Sequence, residues 1–553
     1  MIAPVKRFLL IALALAAVGS GSAAAQPAQL LMPGVTYERH VQFTLHGPVV
    51  VHVIEAPRPT GLYSLEPVLA RSSVRGKEKL TAMERRLSPQ ATVAAVNGDL
   101  FAGTGRPQGL FLQDSVMQTQ PNGSRSSLGI DPSGTVTVDR VRFIGDWRGL
   151  GPRRGLSALN DQVGTNGTVL FTPGWAGNTP ASPDAVEAVL SPFPVARPNT
   201  DLTAKVTQVL RGGNHPVGPR TAILYARGNA ATRLAAEAAV GTSLTVRMIL
   251  PSPFTNAVAG IGGGPLLVKN AKPVFRANEV FANSWLIPRT ARTAVGQRRD
   301  GGILMVVVDG GRPGSSVGMT NFELAQEMAG LGAVTAMALD GGPSSTMAFE
   351  GDLLNRPSQA EKPIADSLAL LYTGVQAAAV DPDVVVPGSS GAELAYKVVR
   401  RSTVSARLLG PGGAQVALDS GARAPGTYTF SWNGAGAAEG RWTFRVTALD
   451  DLGRSSAAER PFSLNSTLQG LSVSGSKVTA QLARPASLTI RLERSGTVLR
   501  TLLKGQQNAG PTSVTWDGRL DGGLRASRGS YVVRAVATNQ VGTAELTATI
   551  RRR

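Results

Sequence analysis

Two aspartates each follow an apolar run and are each followed by two glycines. They form the groups Asp309-Gly310-Gly311 and Asp340-Gly341-Gly342. A carboxylic acid and a carboxylate on either side of a bond are the groups that general acid–base hydrolysis requires. The glycines let backbone amides approach an anion, and Arg312 and Ser344 follow closely. This combination suits an uncharged sugar joined to a phosphate.

The apolar runs before these aspartates predict two buried strands. Residues 303–308 are continuously apolar, as in a strand buried on both faces, and 333–339 form the second run. Between them, Thr320 and Glu323 form a capping box that opens a helix over 321–331. This strand–helix–strand unit predicts two parallel strands in one sheet. Because ligands bind beyond the carboxyl ends of such strands, Asp309 and Asp340 should face one crevice. A single Asp-Gly-Gly group also serves as an ordinary turn, but two copies joined by one crossover favour a site.

The composition excludes several kinds of chemistry. The 553 residues include no Cys, which excludes disulfides, thiolate metal sites and cysteine nucleophiles. The four His residues lie far from the aspartate motifs in sequence, so we expect surface or core roles for them. Residues 314–318 fit G-x-S-x-G, but no His follows Ser316 anywhere in the chain. A Ser–His–acid triad is therefore not expected.

The first 25 residues are typical of a cleaved export signal. Lys6 and Arg7 precede an apolar run over 8–18, and small residues at 23–25 provide a cleavage site. The run is shorter than the ~20 residues that span a bilayer, so we expect a secreted or extracytoplasmic protein without a transmembrane span. Association of the exported protein with the cell envelope is compatible with this prediction. The formal charge of +19 fits either an arginine-rich soluble surface or attraction to anionic wall polymers. No aromatic-interleaved basic motif indicates nucleic acid, and the oligomeric state is left open.

The chain changes character after Tyr372. Residues 375–391 are rich in Ala, Asp, Pro, Gly and Ser and are interpreted as a linker. Beyond it, 429–434 matches 513–518 at an offset of 84, which predicts two β-sandwich modules at 392–464 and 465–553. Their Trp-Asn/Asp-Gly pattern resembles the immunoglobulin-like domain of flagellar hook-capping proteins, and the tryptophans are expected in the sandwich cores. The predicted fold class is a mixed α/β (α+β) catalytic domain with a parallel strand–helix–strand core, followed by two all-β sandwich domains. Within it, residues 26–90 form a β-rich segment packed on a catalytic domain at 91–374.

An ordered series of motifs resembles the phosphodiester glycosidase family. The motifs are N-G-D-L-F at 97–101, G-G-G-P at 262–265, R-T-A-V-G at 292–296, V-D-G-G-R at 308–312, L-D-G-G-P-S-S-T-M at 339–347 and N-R-P at 355–357. The family's animal member removes N-acetylglucosamine from lysosomal-targeting phosphodiesters. The resemblance covers roughly 91–372. It implies cleavage of sugar-1-phosphodiesters between the anomeric carbon and oxygen, which gives a free sugar and a phosphomonoester.

The resemblance also implies residue roles. Asp309 and Asp340 would be the acid/base and the nucleophile or water-activating pair, in either order. Two positions depart from the family pattern, because Asp99-Leu100 replaces a small and an aromatic residue and Gly311 is inserted before Arg312. The substrate-binding set comprises Asn97, Asp99, Arg292, Thr293, Arg312, Ser344, Ser345, Asn355 and Arg356, with the three arginines as the phosphate contacts.

Two other functions stay open. Asp99, Asp309 and Asp340 could hold Mg²⁺ or Ca²⁺ in a metal-dependent phosphodiesterase, whereas the glycosidase is expected to require no cofactor. Alternatively, the domain is a non-catalytic envelope protein that binds saccharide. The partner in each case is a phosphodiester-linked glycan or an anionic wall polymer.

Overall fold

The computed structural model describes residues 28–274, 277–387, 391–494 and 497–552. The export signal proposed for residues 1–25 lies outside these ranges. Within them, no helix is both long enough and apolar enough to cross a membrane. The chain is strand-rich, with short helices packed on its sheets.

The N-terminal part of the chain forms three antiparallel sheets that meet around one core. Its first elements are β1 (Gln29–Met32), β2 (Val35–Thr44), β3 (Gly47–Ala56), β4 (Tyr63–Leu69), α1 (Leu80–Leu87), β5 (Thr92–Asn97), β6 (Phe111–Gln113), β7 (Val116–Thr119), β8 (Ser126–Ile130) and β9 (Val136–Arg140).

An excursion then builds a separate sheet with its own apolar core. It contains β10 (Ile144–Arg148), β11 (Arg154–Gly155), β12 (Ala158–Leu159), β13 (Thr168–Phe171), β14 (Ala185–Leu190), β15 (Asp201–Arg211), β16 (Ala222–Arg227), α2 (Asn229–Glu237) and β17 (Ser243–Ile249).

The chain returns to the three sheets with the segments that carry the sequence motifs. These are β18 (Ala259–Gly262), β19 (Leu266–Lys269), β20 (Lys272–Pro273), α3 (Asn283–Leu286), β21 (Arg292–Arg298), β22 (Ile303–Val308), α4 (Asn321–Gly330), β23 (Ala333–Ala338), β24 (Met347–Phe349), β25 (Asp352–Leu353) and β26 (Asp366–Tyr372).

The main sheet has the strand order β1-β2-β3-β22-β21-β23-β19-β20. Its inner face packs against the sheets β25-β24-β5-β26-β4 and β7-β6-β18-β8-β9, and α4 covers its outer face. The capping box that opens α4 is present: the Thr320 hydroxyl accepts from the Glu323 amide, and the Glu323 carboxylate accepts from the Thr320 amide.

The two apolar strands lie in one sheet, but the predicted parallel core is not present, because every pair of neighbouring strands in this sheet is antiparallel. β21 lies between β22 and β23 and is antiparallel to both. The two strands therefore run in the same direction without touching, and their carboxyl ends still lie at one edge of the sheet. Sequence periodicity reports burial and not the pairing partner, and β21 is as completely buried as its neighbours up to its last residue.

Two sandwich modules follow. The first contains β27 (Gln376–Ala377), β28 (Val384–Val385), β29 (Ala392–Val398), β30 (Ser402–Leu409), β31 (Gln415–Arg423), β32 (Gly426–Trp432), β33 (Gly440–Asp450) and β34 (Ser455–Leu464). The second contains β35 (Leu468–Ser474), β36 (Lys477–Leu482), β37 (Ala486–Arg494), β38 (Thr497–Gln507), β39 (Gly510–Thr515), β40 (Gly529–Asn539) and β41 (Gly542–Arg552).

Residues 375–387 of the segment interpreted above as a linker pack into the first module. β27 pairs with β29 and β28 pairs with β34. Val375, Ala377, Val380 and Val385 are buried in that module's core. Alternating small and apolar residues in this segment fill the sandwich, although its Pro and Gly content is also typical of a free linker.

Two cationic side chains of the first module, Arg460 and Lys397, bind the N-terminal part of the chain. The Arg460 guanidinium donates to the carbonyl oxygens of Ala377 (2.7 Å), Leu30 (2.5 Å) and Leu31 (2.8 Å). The Lys397 ammonium pairs with Glu350 at 2.5 Å. These contacts join the sandwich to β1 and to the loop after β24.

Candidate functional site

Asp309 follows β22 and is buried, with 6% of its surface exposed. Its Oδ1 accepts from Asn355 Nδ2 at 3.0 Å and from the Arg356 backbone amide at 3.1 Å. The inserted Gly311 has a φ of +70°, a conformation that favours glycine and turns the chain sharply after the aspartate. Asn355 thus positions the Asp309 carboxylate directly, and Arg356 does so through its main chain.

A histidine completes the surroundings of Asp309. His52 Nε2 lies 3.2 Å from Asp309 Oδ2, and His52 Nδ1 lies 2.8 Å from the Tyr37 hydroxyl. His52, which is far from the aspartate motifs in sequence, is buried as one of the predicted roles requires, but it also contacts a site acid, which the sequence did not predict. Its partner in the ladder is Val307 on β22, so strand pairing brings together residues more than 250 positions apart. A lone polar residue inside the apolar run of β3 was the available sequence signal.

Asp340 follows β23 at the same edge of the sheet. Its carboxyl group accepts a hydrogen bond from Ser344, and the Lys362 ammonium donates to the Ser344 hydroxyl oxygen at 3.0 Å. Burial raises the pKa of Asp340, while Ser344 and the positive charge of Lys362 partly oppose that rise. A carboxyl group with a raised pKa is suited to proton donation. Lys362 was not named from the sequence.

Asn97 and Thr293 position the main chain around Asp340. Asn97 Nδ2 donates to the Asp340 carbonyl oxygen at 2.7 Å. Its Oδ1 accepts from the Thr293 hydroxyl at 2.7 Å and from the Thr346 amide at 3.1 Å. The three contacts connect β5, β21 and the loop that carries Ser344 and Ser345, so both side chains lie beneath the site.

The three arginines predicted to contact phosphate differ in their surroundings. Arg292 is 2% exposed, and its guanidinium donates to the carbonyl oxygens of Met319, Trp285 and Pro288. Arg312 Nη2 donates to the Pro357 carbonyl oxygen at 2.7 Å. The Arg356 side chain is exposed. Of the three, Arg292 is fully engaged in holding loops around α3.

Asp99 lies in a buried group of acids. Its Oδ2 accepts from the Gly109 amide at 2.6 Å, and its own amide donates to Asp366 Oδ1 at 2.8 Å. A Cβ on Gly262 would lie 2.6 Å from Asp99 Oδ2, so the G-G-G-P motif leaves room for this side chain. Burial raises the pKa of Asp99 to about 6 and that of Asp366 well above its usual range. Asp366 was not predicted from the sequence.

The serine hydroxyls considered as candidates have different hydrogen-bond partners. Ser344 contacts Asp340 and Lys362, as described above. The Ser345 hydroxyl is buried and has no hydrogen-bond partner among the described residues. Ser316, from the G-x-S-x-G match, donates to the Asp309 carbonyl oxygen and accepts from the Val50 amide, so its hydroxyl holds the turn after β22.

Asp99, Asp309 and Asp340 are the acids that the sequence suggested as ligands of one metal ion. In the described ranges, no group of three or more His, Cys, Asp or Glu side chains is arranged to share a metal ion. The oxygens of Asp309 face N–H donors and His52, and Asp99 Oδ2 accepts an amide. Asp99, Asp309 and Asp340 therefore do not form one open oxygen cage.

Together these observations define a strand-rich domain that holds two acids at one edge of a sheet, with hydroxyls and a lysine beside one of them. Residues 196–371 match the model of the phosphodiester glycosidase family, and residues 465–540 match that of the FlgD Ig-like domain. The resemblance inferred from the motifs is thereby confirmed for both stretches.

Parts of this chain are similar to individual known proteins. The SPbeta prophage-derived protein YomE of Bacillus subtilis (strain 168) is 36% identical over 110 residues, 20% of this chain and 17% of that protein. A hypothetical protein from Synechocystis has a similar structure, with a TM-score of 0.53, 25% identity and coverage of 62% of each chain. The chain thus spans less than two thirds of either protein. The catalytic domain of zebrafish N-acetylglucosamine-1-phosphodiester alpha-N-acetylglucosaminidase, auto-inhibited by its pro-peptide, gives a TM-score of 0.35 at 13% identity, covering 64% of this chain and 87% of that one.

Proposed function

We propose that the protein is a hydrolase that cleaves the glycosidic bond of sugar-1-phosphodiesters, such as those of N-acetylglucosamine. The observation that carries the proposal is the pair Asp309 and Asp340 at one sheet edge, within the stretch that matches the phosphodiester glycosidase family. One acid has a pKa raised by burial, and the other is held by an amide, a side-chain amide and a histidine.

The two acids receive different roles in this proposal. Asp340 is the proton donor, because its raised pKa keeps a proton available to the leaving group. Asp309 acts on the opposite side, either as the nucleophile or as the base that takes a proton from the attacking water. The bond between the anomeric carbon and oxygen breaks, and the water oxygen ends on the sugar. Ser344 and Lys362 assist by orienting Asp340 and by adding positive charge beside the phosphate.

The substrate and location are part of the same proposal. The export signal expected at residues 1–25, the charge of +19 and the match to an Ig-like domain support an extracytoplasmic enzyme, associated with the cell envelope, that acts on glycans or wall polymers. We propose that it requires no metal ion, with Ca²⁺ or Mg²⁺ as the alternative that chelation tests.

The experiment uses residues 26–553 and a panel of sugar-1-phosphodiesters, with the products identified by mass. Free sugar and a phosphomonoester, formed in the presence of chelator and abolished by Asp340→Asn, would support the proposal. Asp352→Asn is the matched control, because that side chain is 92% exposed in the same domain. Sugar-1-phosphate that disappears on chelation would indicate metal-dependent phosphodiester hydrolysis instead. Glycan binding without turnover by the folded wild type would indicate a binding protein.

A further inference from the structure

Arg125 is a buried cation to which no described residue offers a hydrogen bond or an ion pair. It directly precedes β8 and is 5% exposed. Its side chain forms no hydrogen bond or ion pair with any described residue, and its Nη2 is fully buried. Burying an unpaired charge is costly, so such a group is normally paired or used to bind an anion.

The position of Arg125 relates it to the site acids. Ser127, two residues after Arg125, pairs with Gly262, and a Cβ on Gly262 would lie 2.6 Å from Asp99 Oδ2. The positive charge of Arg125 also acts to lower the pKa of Asp99 and Asp340, although Arg125 forms an ion pair with neither. Asp99 is fixed elsewhere, since its Oδ2 accepts a hydrogen bond from the Gly109 amide. The guanidinium is therefore near the acids but not neutralised by direct contact.

An aromatic side chain packs against the Arg125 guanidinium. The Arg125 Cζ lies 5.7 Å from the centre of the Phe281 ring, within the range of a cation–π interaction. Phe281 stacks on Trp285 of α3, with ring centres 5.7 Å apart and planes inclined by 27°. This aromatic pair orients the guanidinium while leaving its N–H groups free.

We propose that Arg125 binds the phosphoryl group of the substrate and stabilises the departing phosphomonoester, and that Phe281 positions it. The inference rests on the proposed glycosidic cleavage. When the bond to the anomeric carbon breaks, the electron pair stays on the phosphate oxygen, so negative charge builds up there in the transition state until the proton from Asp340 is fully transferred. An arginine beside that oxygen interacts more strongly with the transition state than with the bound substrate, and it therefore accelerates the reaction.

The test compares two substrates with the same sugar, one a phosphodiester and one a neutral nitrophenyl glycoside. Arg125→Met should lower kcat/KM for the phosphodiester by about 100-fold, the usual cost of removing a group that stabilises developing charge. The neutral substrate should lose less than about 3-fold, and Arg125→Lys should recover part of the phosphodiester activity. Arg140→Met is the matched control, because Arg140 is exposed on the neighbouring strand β9.

Thermal unfolding supplies a readout that is independent of turnover. Removing an unpaired buried charge should leave the stability of Arg125→Met unchanged or raise it. Inorganic phosphate should raise the unfolding temperature of the wild type and of the control, but not that of Arg125→Met. Equal loss on both substrates together with lower stability would overturn the proposal in favour of a structural role. If the wild type cleaves no sugar phosphodiester but its phosphate stabilisation depends on Arg125, the anion site stands and the proposed reaction fails.

Discussion

Replacing Asp99 with Asn should stabilise the protein in a pH-dependent way. Asp99 is completely buried, and burial raises its pKa from 3.8 to about 6, close to the acids Asp340 and Asp366. The Asp99 carboxyl therefore stays neutral up to a higher pH in the folded state than in the unfolded chain. The stability from this group is fully present below pH 3.8, falls between pH 3.8 and about 6, and is lost above that.

The magnitude follows from the shift. Two pKa units correspond to about 3 kcal/mol of folding free energy. Asparagine cannot ionise, and its Oδ1 can still accept from the Gly109 amide. The asparagine Nδ2 takes the place of Asp99 Oδ1, so the variant loses no hydrogen bond there, because Asp99 Oδ1 has no hydrogen-bond partner among the described residues. The same is true of Asp366 Oδ2. We therefore expect Asp99→Asn to equal the wild type near pH 4 and to exceed it by up to about 3 kcal/mol at pH 8.

The assay is thermal unfolding between pH 4 and pH 8, followed through the transition of the N-terminal part of the chain. A stabilisation of 3 kcal/mol should raise the midpoint by roughly 5 °C at pH 8. Asp139→Asn, a partly exposed aspartate on β9, is the control and should show no such divergence. A variant less stable than the wild type at pH 8, or a difference that does not change with pH, would refute the reasoning.

Three other predictions follow from contacts at the site and at the module interface. Asp340→Asn should reduce turnover by about 1000-fold while keeping ligand affinity, measured by product release and by calorimetry. His52→Gln should lower kcat more than it changes KM, because His52 contacts the Asp309 carboxylate at 3.2 Å; an unaltered kcat would contradict this role. Arg460→Met should remove three hydrogen bonds to backbone carbonyls, lower the unfolding midpoint and speed proteolysis near β1. The exposed Arg441→Met on β33 should do neither.

The sequence was most informative where function and structure depend on local order. The apolar run that became β22, the capping box of α4 and the repeat that marks the sandwich modules are all local patterns. The motif series also indicated the family that residues 196–371 match. In each case the signal lies within a few residues or at a fixed period.

What the sequence could not predict depends on pairing between distant segments. Nothing local places β21 between β22 and β23, because burial alone does not tell which strands are neighbours and β21, with the sequence RTAVGQR, lacks the continuous apolar run that marks β22. The contact of His52 with Asp309 follows from the pairing of β3 with β22. An arginine motif likewise does not reveal its partners: Arg292 meets three carbonyl oxygens, whereas Arg125, outside every motif, meets none.

The contacts around Tyr37 give the first sandwich module a part in positioning the site. Arg460 of that module holds the carbonyls of β1, and β1 pairs with β2 through Gln29 and Tyr37. The Tyr37 hydroxyl contacts His52, which contacts Asp309. Each step is a hydrogen bond or a strand pair, so displacement of the module changes the support of the carboxylate. Because of this path, the loss of stability expected for Arg460→Met should be accompanied by a loss of activity, although Arg460 itself lies outside the site.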